Sequence, residues 1–344
     1  MAVPANTLQT FAMSNIKEDL SDIITMTDPT EVPFYSLCKK GTAKSRTPES
    51  QIDSLDAPNP NNKNIEGDAA TNDALTGPTR FKNVVQLFDK VIEVSSTSRA
   101  VDTAGMKDPL SYQKIKKGKE MKRDIEARAT GNYASVLGAA GTAGEMAGFE
   151  AYIKTNAVRN GAGAASGGFN SGTGLIAAAT DGAATAVVTE TMLKDVIAKC
   201  WNVGGDPSLI MVNGKMKQKF SGLPGIATQY RDNPGKEAAV IIAAADVYKS
   251  DFGLHTISPN RFICHGGGAR DSTWTGKART SEEAANRSAL VIDPSSWTLA
   301  FLQPMKTEKL AKLGHSDREM LSCELTLECS DESKNGIISD IKAA

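Results

Sequence analysis

The stretch from Gly41 to Pro78 constrains this chain most, because it holds almost nothing that could build a core. Ile52, Leu55, Ile65 and Leu75 are its only large apolar side chains. Gly41 to Asp56 is polar and extended in character, and Ala57-Pro58-Asn59-Pro60-Asn61-Asn62-Lys63-Asn64 is a turn cluster. From Asn83 to Ser96 (NVVQLFDKVIEVSS), β-branched and aromatic residues alternate with polar ones, which predicts a strand. Two extended limbs around a polar centre predict a long β-hairpin. With so little apolar surface at its tip, that hairpin has to lean on another surface.

The residues before it read as an arm. Ile16, Leu20, Ile23 and Ile24 fall at helical spacing, with Ser14 or Asn15 placed to cap. Val32-Pro33-Phe34-Tyr35 follows as an extended apolar stretch that needs a packing partner in its own chain or a neighbour.

Asp108-Pro109 opens the clearest helix, Asp at the cap and Pro at the first helical position. Ile115, Gly118, Met121, Ile125 and Ala129 predict one buried stripe. The other faces carry Lys116, Lys117, Lys119, Lys122 and Arg123 among fewer acids. At about 1.5 Å per residue this is a rod of ~33 Å, a spine with a basic exposed face.

From Gly131 to Gly182 small and polar residues dominate, and Asn160 to Gly174 holds six glycines in fifteen residues. This reads as a loop system. An α/β block begins at Thr189, with an amphipathic helix that stops at Gly204-Gly205. Strands are expected at 208–212, 254–258, 289–292 and 297–302, a helix at 214–220, and a long alternating strand from Arg318 to Cys329. Arg261 to Asn286 reads as a polar excursion.

Charge and motifs argue against most enzyme classes. Lys plus Arg is 39 and Asp plus Glu is 40, a net of −1, without the basic excess of a dedicated nucleic-acid binder. The glycine tract lacks the Gly-Lys-Ser/Thr ending of a phosphate loop. At Gly276-Lys277 the first glycine is replaced by Asp271 and the hydroxyl residue by Ala278. His265-Gly266-Gly267-Gly268 resembles an oxyanion segment, but no Gly-x-Ser-x-Gly elbow accompanies it. Three histidines (His255, His265, His315) are too scattered for a triad or a histidine-rich metal site. The expectation is no catalytic residue, no metal and no cofactor. The five cysteines read as reduced thiols, Cys323 and Cys329 on one side of a strand, in a chain made in a reducing cytosol without a membrane anchor.

The order of parts, together with local text, resembles the major capsid (major head) proteins of tailed bacteriophages, which have the Hong Kong 97-type fold. The matching stretches include Lys17-Glu18-Asp19-Leu20-Ser21-Asp22, Asp28-Pro29-Thr30-Glu31-Val32-Pro33-Phe34, Ile65-Glu66-Gly67-Asp68-Ala69, Gly118 to Glu126 (GKEMKRDIE), Ala151 to Asn156 (AYIKTN), Asp246 to Gly253 (DVYKSDFG) and Leu310-Ala311-Lys312-Leu313-Gly314. They are spread over nearly the whole chain.

The resemblance implies an α+β fold divided into an N-terminal arm (1–40), an extended β-hairpin loop (41–98), a peripheral domain with spine helix and glycine-rich loop (99–185), an axial domain (186–304) and a return to the peripheral domain (305–344). It implies self-assembly, through hexamers and pentamers, into the icosahedral head that encloses double-stranded DNA. Ile16, Leu20, Phe34, Tyr35, Asn59, Asn61, Asn62 and Ile65 would contact neighbouring subunits. Lys116, Lys117, Lys119, Lys122 and Arg123 would face the lumen and its DNA. Decoration or cement, scaffold and portal proteins would be further partners, with no membrane involved. Location would be the virion, after synthesis in the host bacterial cytoplasm. The competing reading is a polyanion- or glycan-binding surface or decoration protein of a virion, with Arg261 to Asn286 as its binding loop.

Overall fold

The structure is a computed structural model that describes residues 29–53, 55–67, 69, 75, 77–103, 105–182, 186–223, 246–263 and 288–342. The expected arm helix with Ile16 and Leu20 and most of the 261–286 excursion lie outside the described residues.

The described chain begins with a short helix, α1 (Pro33–Leu37), where an extended segment was expected. Proline at the first helical position presets φ, and no side chain of α1's own cap residue satisfies the N-terminus. Strand β1 (Lys39–Thr42) follows, then β2 (Glu49–Ile52) and β3 (Thr79–Lys82), which pair antiparallel as the two limbs of the extended loop. The expected second limb, Asn83 to Ser96, does something else. Its strand β4 (Gln86–Ser95) leaves the loop and pairs with a strand far along the chain. Helix α2 (Ser96–Ala100) caps itself through Ser95, whose hydroxyl accepts the Ser98 N–H.

The spine helix α3 (Pro109–Thr130) is capped by the Asp108 carboxylate, which accepts the Leu110 N–H at 3.3 Å. Met121, Ile125 and Ala129 are buried as the stripe requires. Ile115 departs from the stripe and is 64% exposed. It lines an open groove of about 880 Å³ between α3 and the α2 region, together with Arg99, Tyr112 and Asp317.

Beyond the spine lie α4 (Phe149–Tyr152), β5 (Ala157–Arg159) and a small antiparallel hairpin of β6 (Gly168–Asn170) with β7 (Leu175–Ala177). The glycine-rich tract therefore contains ordered pairing as well as loop. Gly167 is required there, since a Cβ would come within 2.5 Å of the Ala177 carbonyl oxygen and 2.7 Å of that of Ala151. After β8 (Ala186–Val187), α5 (Glu190–Asn202) is capped by Thr189, whose hydroxyl accepts the Met192 N–H. The chain continues through β9 (Leu209–Val212), α6 (Gly214–Ser221), β10 (Val247–Ser250), β11 (Gly253–Pro259), β12 (Ala289–Ile292), β13 (Trp297–Lys309), β14 (Ser316–Cys329), β15 (Gly336–Ser339) and β16 (Ile341–Lys342).

Two sheets carry the architecture. One runs β1-β13-β14-β4 with α3 packed on it, and the other runs β10-β11-β9-β12-β15-β5. In the larger sheet, Ile210, Val212, Val291 and Ile338 enter the core beneath α5 and α6, with Leu193, Ile197 and Phe220. Their neighbours Met211, Leu290, Ile292 and Ile337 enter the other core, with Met121, Phe149 and Trp297. Alternation along a strand sends successive side chains to opposite faces, so this sheet is a wall shared by both cores. The expected division at 304/305 falls inside β13, and the six-stranded sheet draws β5 and β15 from outside 186–304.

Candidate functional site

Among the described residues, His255 and four cysteines are held within the fold. His255 is buried, and its Nδ1 lies 2.5 Å from the Pro207 carbonyl oxygen, which can only accept. In the neutral ring Nε2 then accepts from Ser250 Oγ at 2.6 Å, while Ser250 Oγ also accepts the Phe252 N–H. The pair pins a β10–β11 turn and has no substrate-facing lone pair to offer. Cys38, Cys200, Cys323 and Cys329 are buried and unpaired with one another, Cys323 and Cys329 on the same face of β14. Burial pushes the Cys38 and Cys200 thiols up to about 12 and Cys323 to about 11, so they are poor nucleophiles. Among the described residues, no group of three His, Cys, Asp or Glu is placed to hold a metal ion, and no helix is long and apolar enough to cross a membrane.

What the described residues do present is apolar and polar surface left exposed on one loop. Asn59, Asn61, Asn62 and Ile65 lie exposed between β2 and β3. Asn59 organises a local turn, its Oδ1 accepting the Asn61 N–H and its carbonyl the Asn62 N–H. On the same loop Leu55 is 99% exposed, Leu75 95% and Ile65 76%. Exposure so complete means these side chains contribute nothing to their own subunit's core. At the loop's base, Phe81 of β3 meets Phe169 of β6 edge-on at 6.4 Å.

Phe34 corrects an expectation. It was expected to contact a neighbouring subunit, but it is fully buried in its own chain, edge-on to Phe149 and to Trp297, each at 6.0 Å. A ring with no accessible surface has none to share. Tyr35 beside it is half-buried, with Lys40 Nζ 3.7 Å above its ring and Lys122 Nζ at 5.9 Å.

Glu126 holds this junction together and was not singled out by sequence. It is buried on α3, its Oε1 accepting the Phe34 N–H at 2.8 Å and its Oε2 the Tyr35 N–H at 2.6 Å. Asn260 Nδ2 donates to Oε1 at 2.6 Å. The spine thus supplies the N-terminal cap that α1 lacks, and the negative charge sits where the helix dipole favours it. Burial raises the Glu126 carboxyl above its ordinary value, and the hydrogen bonds from Phe34 and Tyr35 oppose that rise. The only signal in sequence is a carboxylate beside Ile125, on the edge the helix buries.

On the basic face, Lys116, Lys119 and Lys122 are exposed and Lys117 and Arg123 half-buried. Lys117 pairs with Glu120 at 2.7 Å, and Arg123 lies 5.4 Å from the Phe262 ring. With Lys122 over the Tyr35 ring, at least three of the five basic groups are therefore partly spent on neighbours of their own chain.

The family model described as the SU10 major capsid protein matches residues 3–342. The chain belongs to that family. A major capsid protein of Escherichia phage Phieco32 is 36% identical over 111 residues, 32% of this chain and 31% of the relative's length. Among solved structures, the capsid of cyanophage P-SCSP1u aligns with a TM-score of 0.57 at 11% identity, covering 97% of this chain and 99% of its own. Mycobacterium phage Ogopogo gives 0.57 at 12% identity, over 97% and 99%. An encapsulin from Synechococcus elongatus gives 0.54 at 8% identity, over 98% and 97%. These likenesses establish the Hong Kong 97-type fold, the α+β architecture expected from sequence. An encapsulin shares it with phage heads, so the fold alone does not separate the two, and the family match does.

Proposed function

We propose that the chain is the shell-forming subunit of a tailed-bacteriophage head, assembling through hexamers and pentamers into an icosahedral container for double-stranded DNA. Membership of the major capsid protein family over residues 3–342 carries this reading. The exposed Leu55, Ile65 and Leu75 support it, because they offer apolar surface for a neighbouring copy to cover. In this reading Asn59, Asn61, Asn62, Ile65 and Tyr35 meet neighbouring subunits, as do Ile16 and Leu20 of the arm. The loop whose limbs are β2 and β3 acts as the overlapping loop, while β4 stays in its own subunit's sheet, and α5, α6 and the six-stranded sheet approach the five- and six-fold positions. Folding and assembly are then coupled, since apolar surface left open in the monomer is covered in the shell.

Lys116, Lys117, Lys119, Lys122 and Arg123 face the lumen in this reading and attract packaged DNA through its phosphates, a salt-dependent and sequence-independent interaction. The near-neutral whole chain, at −1, keeps that attraction weak. Decoration, scaffold and portal proteins complete the particle.

Electron microscopy of the purified protein tests the proposal. Uniform icosahedral shells or capsomer rings are expected. A compact monomer that persists at high concentration would overturn it.

A further inference from the structure

Among the described residues, one buried guanidinium gathers three carboxylates around it. Arg159, at the end of β5, has a side chain only 4% exposed. It lies 3.4 Å from Glu150 of α4, 3.5 Å from Asp181 and 3.6 Å from Asp340. All three carboxylates are largely withdrawn from water, with side-chain exposures of 12%, 17% and 1%. Ser288 Oγ donates to Glu150 Oε1 at 3.2 Å, and Asn132 Nδ2 donates to Asp181 Oδ1 at 3.1 Å. Asp340 reaches the cluster from a left-handed backbone, φ 59°, in the turn between β15 and β16.

With every group ionised, the cluster carries one positive and three negative charges in a low-dielectric setting. It also joins segments that are remote in sequence. Asn132 follows the spine, Asp181 belongs to the loop system, Ser288 precedes β12, and Arg159 and Asp340 adjoin the strands that close the six-stranded sheet.

We propose that Glu150, Arg159, Asp181 and Asp340 form a proton-binding joint, in which one carboxyl proton locks the spine end to the six-stranded sheet and its release loosens them. Glu150 is the group that takes the proton. Its burial is the largest influence, ahead of the opposing attraction of Arg159 and the added repulsion of Asp181 and Asp340, and its carboxyl is raised to about 7. The sign follows from linkage. A carboxylate whose folded value lies above its unfolded one stabilises the folded joint most at low pH. That contribution declines as pH rises from about 4.5 to about 7, and is flat beyond.

Hydrogen exchange of the purified full-length protein at pH 5 and pH 8, corrected for intrinsic rates, tests the joint. Amides at 157–160 and 336–341 are expected to lose protection by up to ~100-fold at the higher pH, the order that a shift of this size permits. Glu150→Gln, which carries no titrating proton, is expected to reduce the change to about 3-fold or less. Unchanged wild-type protection between the two pH values overturns the proposal, as does a variant that follows the wild type. If Glu150→Gln does not fold, Asp181→Asn removes one repelling charge and is expected to lower the pH midpoint of the wild-type transition. An unmoved midpoint overturns the proposal as well.

Discussion

The Oε1 atom of Glu126 accepts the backbone N–H of Phe34 at 2.8 Å, across 92 residues of sequence. Through this bond and its twin to Tyr35, the spine helix holds the start of the described chain in place. Glu126→Ala leaves two helix N–H groups and the Asn260 amide without their acceptor. A cost of about 3 kcal/mol is expected. Urea unfolding measures the cost, and earlier proteolytic cleavage near residues 30–38 checks that the released element is α1. An unchanged midpoint with unchanged cleavage would show that the cap is dispensable.

Gly148 tests how closely α4 approaches the end of the spine. A Cβ there would lie 2.2 Å from the Gly131 carbonyl oxygen and 2.6 Å from that of Arg128, both fixed backbone atoms. Gly148→Ala should therefore destabilise by about 3 kcal/mol. Thermal unfolding beside Gly214→Ala, where a Cβ meets nothing within 4 Å, separates this clash from a general glycine effect.

Removing residues 57–78 takes away the exposed tip and leaves β2 and β3 in place. The expected product is soluble, folded protein that makes no shells, scored by circular dichroism and electron microscopy. Normal shells would mean that the tip is no assembly contact.

Charge reversal at Lys116 and Lys119 should leave empty-shell assembly intact while lowering the salt concentration at which filled heads release DNA. Amine-reactive labelling of intact filled heads gives an independent check. Modification of these lysines by a reagent excluded from the lumen would place the face outside and end that part of the proposal.

The buried thiols make a simple reporter. Cys38, Cys200, Cys323 and Cys329 should react with a thiol reagent at pH 8 only after denaturation, since burial keeps them protonated and covered. Rapid reaction at any of the four in native protein, mapped by mass spectrometry, would contradict the core packing.

Local signals were legible wherever the partner of a residue lies nearby in sequence. Asp108-Pro109 and Thr189 mark helix starts because the cap and the capped N–H are two or three residues apart. The alternation of 318–329 announces β14 for the same reason. Partners at a distance leave no such mark. The alternation of 83–96 identifies β4 as a strand, but its neighbour is β14, so the second hairpin limb was misplaced onto it. Helix α1 has no legible signal, because five residues show no period and its cap lies on the spine. At the candidate assembly surface, the exposed loop was legible from its composition. The burial of Phe34 was not, because its apolarity suits a core and an interface equally well.

The positions of β14 and β15 within their sheets bear on when a subunit can meet its neighbours. Strand β14 separates β13 from β4, and β15 separates β12 from β5. Until residues 316–339 have left the ribosome, β4 and β5 lack the strand each must join, and neither sheet can close. The exposed loop between β2 and β3 is thus made well before either sheet can close. If that loop meets neighbouring subunits as proposed, synthesis itself acts as a clock, and assembly starts from chains whose last strands are already in place.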